Sequence, residues 1–149
     1  MGVERLDFLR RWRRRRAARL AAEGRLLLKR GEPDEAQRRF RSALSLDGES
    51  AAALLGCAEI ALDREDVGSY LDLTNRLVRL RRAMRPPERI AVCHRLADVL
   101  LRHCSDAAAA VEALTRIELD YPGSADAARA KRRIERILEI DQRQREREI

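Results

Sequence analysis

Aromatic side chains make up only 3% of this 149-residue sequence, and runs of β-branched residues long enough to form a strand are missing. Alanine, leucine and arginine dominate instead, and they favour helix at almost every position. Three cysteines, Cys57, Cys93 and Cys104, form no CxxC pair and are odd in number, which argues against a disulfide framework or a zinc knuckle. No run of 18 apolar residues exists, and the early arginine pairs lead into Ala17, Ala18 and Arg19 rather than into the apolar segment of a secretory signal. Neither a membrane span nor an export signal is expected, and a reducing cytoplasm is the expected location. Lysine is scarce too. Only Lys29 and Lys131 stand among 32 basic residues, a usage that points to a GC-rich bacterial gene.

A hydrophobic share of 45% is enough for one domain with a real core. The charge is unevenly placed. Residues 1–30 hold 11 basic and 3 acidic side chains, a net of +8, so the +7 of the whole chain belongs to this segment. Within it, Leu6, Phe8, Leu9 and Trp12 lie beside Arg10, Arg11, Arg13, Arg14, Arg15 and Arg16, and residues 1–16 read as a basic amphipathic arm. Such a helix can lie on an anionic membrane surface, which would put the chain at the inner face of a membrane. It can also bind nucleic-acid phosphates by releasing counterions. A third reading is a lead-in helix whose Leu9 and Trp12 pack on the helices after residue 16.

The rest of the chain repeats itself. Leu20, Gly24, Ala43, Leu44 and Leu46 recur 34 residues later as Leu54, Ala58, Leu77, Val78 and Leu80, keeping size or polarity at each place. Within the first unit, Leu20, Leu27 and Leu28 and then Phe40, Ala43 and Leu44 fall at helical spacing, with Gly31-Glu32-Pro33-Asp34 between them. Glycine breaks the first helix, and Pro33 suits the first turn of the second. The fold class is therefore all-α, built of helix-turn-helix units. The units span residues 17–50, 51–84 and 90–123, followed by a capping helix over 124–140 with Ser124 as its N-cap. Lys131, Arg132, Arg133, Glu135 and Arg136 are expected on the solvent side of that helix. The third unit is offset by five residues, placed in a longer loop around Pro86-Pro87. Residues 141–149 are almost wholly charged and are expected to fray.

These residues resemble the tetratricopeptide repeat family. Gly24, Leu27, Gly31, Ala36, Phe40 and Ala43 stand where that pattern wants small, large, turn, small, aromatic and small residues. The second unit departs at Tyr70 and Thr74, where Gly68 and Ser69 are expected to take over the close helix contact. The resemblance implies antiparallel helix pairs stacked as a short right-handed superhelical solenoid. It also implies a scaffold that holds another protein's peptide or helix in a concave groove. Carried over by position, the groove residues are Arg25, Leu28 and Lys29, then Leu55, Glu59, Leu62 and Asp63, then His94, Asp98, Leu101 and Arg102. Ala21, Glu59 and Asp98 do not reproduce the basic and asparagine clamp with which some members hold a chaperone's C-terminal carboxylate. Self-association is a further expectation, because a short repeat array leaves its first helix uncovered.

Chemistry finds little foothold. Cys93-His94 and His103-Cys104 are of metal-binding type, yet on one helix the two cysteines would stand about 16 Å apart, too far to share an ion. Neither histidine sits in a motif pairing it with a Ser or Cys nucleophile, and no glycine-rich phosphate loop follows a strand. Ser105-Asp106 reads as a turn and helix cap. No catalytic residue, metal or cofactor is expected.

Overall fold

The computed structural model describes residues 2–149. The described residues form seven helices and no strand: α1 (Gly2–Lys29), α2 (Pro33–Leu46), α3 (Ala51–Asp63), α4 (Val67–Arg79), α5 (Pro86–His103), α6 (Ala107–Asp120) and α7 (Ala125–Glu148). Short connections join α1 to α2, α3 to α4 and α5 to α6, and each pair packs as an antiparallel hairpin. The chain divides into two compact units, Met1–Met84 and Arg85–Ile149.

The first unit holds α1 to α4. Its core gathers Ala17 and Ala21 from α1, Ala36, Phe40 and Ala43 from α2, and Ala53, Cys57 and Ile60 from α3. Small residues here let the helices approach closely around one ring. The Phe40 side chain is fully buried between Gly24 of α1 and Gly56 of α3, and a Cβ at either glycine would overlap it. Gly68 and Ser69, expected to take over the close helix contact of the second unit, are exposed. Tyr70 and Thr74 are buried instead, and the Thr74 hydroxyl donates to the Tyr70 carbonyl at 2.6 Å.

The hairpin turns share one device. After α1, Gly31 adopts a positive φ of 77°, the Gly31 N–H donates to the Leu28 carbonyl, and the Glu32 N–H donates to that of Leu27. This closes the helix with a left-handed residue and satisfies its last carbonyls. The same pattern follows α3, where Glu65 takes φ 59° while Glu65 and Asp66 donate to Leu62 and Ala61. Glu65 lies 34 residues after Gly31, so the backbone keeps the repeat where the side chain does not. Asp66 then caps α4 by accepting from the Ser69 N–H at 3.1 Å.

The second unit holds α5 to α7. Val92, Cys93, Leu96, Ala97, Ala110, Leu114 and Ile117 are buried, as are Ala127, Ala130 and Ile137 of α7. Ser105 supplies the left-handed residue after α5, at φ 50°, and Asp106 caps α6 by accepting from the Ala109 N–H at 2.9 Å. Ser124 caps α7, accepting from the Ala127 N–H at 3.0 Å.

Three boundaries differ from those expected. Residues 2–16 belong to the same unbroken helix as the first repeat, because nothing between Gly2 and Lys29 interrupts good helix formers. Pro86 and Pro87 open α5 instead of lying in a loop, since proline fits a helix's first turn, so the extra residues of the third unit mostly lengthen that helix. The charged tail stays helical to Glu148, with Arg145 pairing Asp141 at 2.8 Å and Gln142 donating to Glu146 at 3.0 Å, each one turn apart.

Candidate functional site

In the first unit α1 packs directly on α3, and these two helices carry the expected groove positions. Arg25 and Lys29 are exposed one turn apart on α1, with Leu28 half-buried against the core. On α3, Glu59 and Asp63 are exposed one turn apart, and Leu55 and Leu62 are half-buried. Each row lies on one side of its helix because its members are spaced by three or four residues. The outcome is a basic row on α1 and an acidic row on α3, each helix also carrying half-buried leucines. That arrangement suits a segment bearing both signs of charge and an apolar edge.

The four expected positions of the second unit fare differently. His94 and Asp98 are engaged from within, because Arg133 of α7 turns inward and its guanidinium lies against both. It sits 2.9 Å from His94 Nδ1, donates to the His94 carbonyl at 3.3 Å and pairs with the Asp98 carboxylate. Arg133, expected on the solvent side of the capping helix, is instead the clamp that ties α7 to α5. Burial pushes the His94 imidazole below its usual pKa, the Arg133 charge adds to this, and Asp98 opposes it. Leu101 lines a depression of about 300 Å³ with Ile137 and Ile140 of α7, while Arg102 is exposed.

A second groove, of about 410 Å³, lies among α2, α3 and α4, with Arg41, Cys57, Arg64 and Asp72 in its lining. Burial pushes the Cys57 thiol up in pKa, against the pull of Arg41 and Arg76. Arg64 bridges the hairpins, pairing with Asp34 and donating to Gln37 at 2.9 Å. No sequence signal points to this groove, since its residues come from three helices and follow no single period.

Cys93 is buried in the middle of α5, and burial raises its pKa, whereas Cys104 is exposed at the end of that helix. Among the described residues no three His, Cys, Asp or Glu side chains converge as metal ligands would.

Residues 2–16 of α1 are all exposed, including Arg10, Arg11, Arg13, Arg14, Arg15 and Arg16. Leu9 and Trp12 keep 44% and 47% of their surface in water. The Arg16 guanidinium stands 5.8 Å from the Trp12 ring centre, within cation–π range. Among the described residues no helix is long and apolar enough to cross a membrane. In comparisons with known proteins, no family model and no curated protein matches this chain.

Proposed function

We propose that the chain is a non-catalytic protein-interaction module of the tetratricopeptide type, holding a peptide or helical segment of a partner on the α1–α3 face. The observation that carries this reading is the presence of two exposed charged rows, Arg25 and Lys29 on α1 and Glu59 and Asp63 on α3, on directly packed helices that also carry half-buried Leu28, Leu55 and Leu62. Exposed charge of both signs selects a partner by complementarity, and the leucines supply the apolar contact from which affinity comes. In the second unit Asp98 and His94 serve the fold through Arg133, so the docking face centres on the first unit. Two buried free thiols support work in a reducing compartment such as the cytoplasm.

Affinity purification of the full chain, with its partners identified by mass spectrometry, tests this. The paired variant Glu59→Lys, Asp63→Lys makes both rows basic and should lose the specific partner while circular dichroism still shows the helical fold. Equal recovery of that partner by the variant and the unmodified chain would remove the face from the account.

A further inference from the structure

The first half of α1 lies outside the packed body. Its residues 2–16 run about 21 Å along the helix axis before Ala17, the first buried position. The stretch carries seven arginines and two acidic residues, a net of +5. Yet it also exposes large apolar side chains, with Phe8 65% and Leu6 59% accessible alongside Leu9 and Trp12. A short helix that keeps so much apolar surface in water, beside so much charge of one sign, is built for contact with something.

Helical spacing sorts the two kinds of side chain. Phe8 and Trp12 are four apart, and Leu6, Leu9 and Trp12 are three apart, which gathers them on one side. Asp7, Arg10, Arg11 and Arg14 line a common shallow depression on another. Arg16 folds over Trp12, its guanidinium 5.8 Å from the ring centre.

We infer that this half of α1 docks on an anionic membrane surface, with Leu6, Phe8, Leu9 and Trp12 entering the headgroup boundary and the arginines pairing with acidic lipid headgroups. Charge decides against a second copy as occupant, because two arms of net +5 brought side by side repel. Nucleic-acid phosphates would satisfy the arginines but leave Leu6, Phe8 and Leu9 in water. An anionic bilayer interface satisfies both, being apolar below the plane where it is charged. This surface is separate from the α1–α3 face, and either can fail without the other.

Trp12, the one tryptophan of the chain, is a built-in reporter on the docking side. The full protein is titrated with phosphatidylcholine vesicles containing phosphatidylserine, with pure phosphatidylcholine vesicles, and with single-stranded RNA. Its Trp12 emission, acrylamide quenching and co-sedimentation are followed. Anionic vesicles should shift the emission to the blue, shield it from acrylamide and carry the protein down, and added salt should weaken this. Substituting Arg10, Arg11 and Arg14 by glutamine should weaken vesicle binding about a hundredfold. Phe8→Ser with Leu9→Ser should abolish the shift while circular dichroism and melting stay unchanged, since both residues are exposed.

An unchanged emission with anionic vesicles overturns the inference. So does a shift that follows protein concentration without lipid, which would mean self-association. RNA binding tighter than vesicle binding and indifferent to the Phe8 and Leu9 substitutions overturns it as well.

Discussion

The ring of Phe40 fills the space that a side chain at Gly56 would need: a Cβ there would lie 2.6 Å from Phe40 Cε1 and closer still to Cζ. The ring is fully buried and meets Gly24 on its other flank, so it cannot swing away. Alanine in place of helical glycine ordinarily stabilises by about 1 kcal/mol. At Gly56 the overlap outweighs that gain, and Gly56→Ala should destabilise the first unit by about 1–3 kcal/mol. Adding Phe40→Leu should restore part of the loss in urea unfolding, because the smaller side chain leaves room for the new methyl.

Glu65 holds a left-handed backbone that Gly31 holds one repeat earlier. A side chain in that conformation costs about 1–2 kcal/mol, which glycine avoids. Glu65→Gly should therefore raise stability by about 1 kcal/mol, reduced somewhat by the greater freedom of glycine in the unfolded chain. Gly31→Ala should lower it, and thermal melting of the two variants should move in opposite directions.

Arg89 is 3% exposed and binds Asp120 through Nε at 2.9 Å, while its Nη1 is buried without a hydrogen-bond partner. Removing the carboxylate strands a buried charge, so Asp120→Ala should cost about 3–5 kcal/mol. Replacing both, Arg89→Met with Asp120→Ala, should cost less than Asp120→Ala alone. Urea denaturation of the three proteins measures the difference.

His94 ties pH to the second unit. Its folded pKa is depressed by burial and by Arg133, so the unfolded chain takes up a proton at a higher pH than the folded one. Stability is then full above the ordinary imidazole value of about 6.5 and falls as pH drops through it toward the folded value. Arg129 adds to the depression, while Asp98 and Asp126 oppose it. Melting temperature recorded between neutral and mildly acid pH should fall less steeply for His94→Gln than for the unmodified chain.

Much of the fold is legible in the sequence because its signals are local. Gly31 and Pro33 mark a turn by their own backbone limits, Ser124 marks a cap, and Phe40 with Ala43 keeps a helical phase. The features that escape a sequence reading depend on partners distant along the chain. Gly56 is small because of a ring sixteen positions earlier, outside the 34-residue phase that pairs Gly24 with Ala58. Arg89 reads as a surface residue until Asp120, 31 positions on, buries it. Arg133 reads as a solvent residue for the same reason, and with it His94 and Asp98 read as open groove positions. The exposure of Arg25 and Lys29 on α1 and of Glu59 and Asp63 on α3 is readable because exposure on one helix side follows from spacing alone.

The α1–α3 face is tested most directly by contact. A photo-crosslinking residue is placed at Lys29, at Asp63, or at exposed Arg38 on α2, which lies outside both groove rows, and the full chain is irradiated with its partner. Crosslinks to one segment of one partner are expected from Lys29 and Asp63, and none from Arg38. Crosslinking from Arg38 with none from Lys29 or Asp63 would contradict docking on that face.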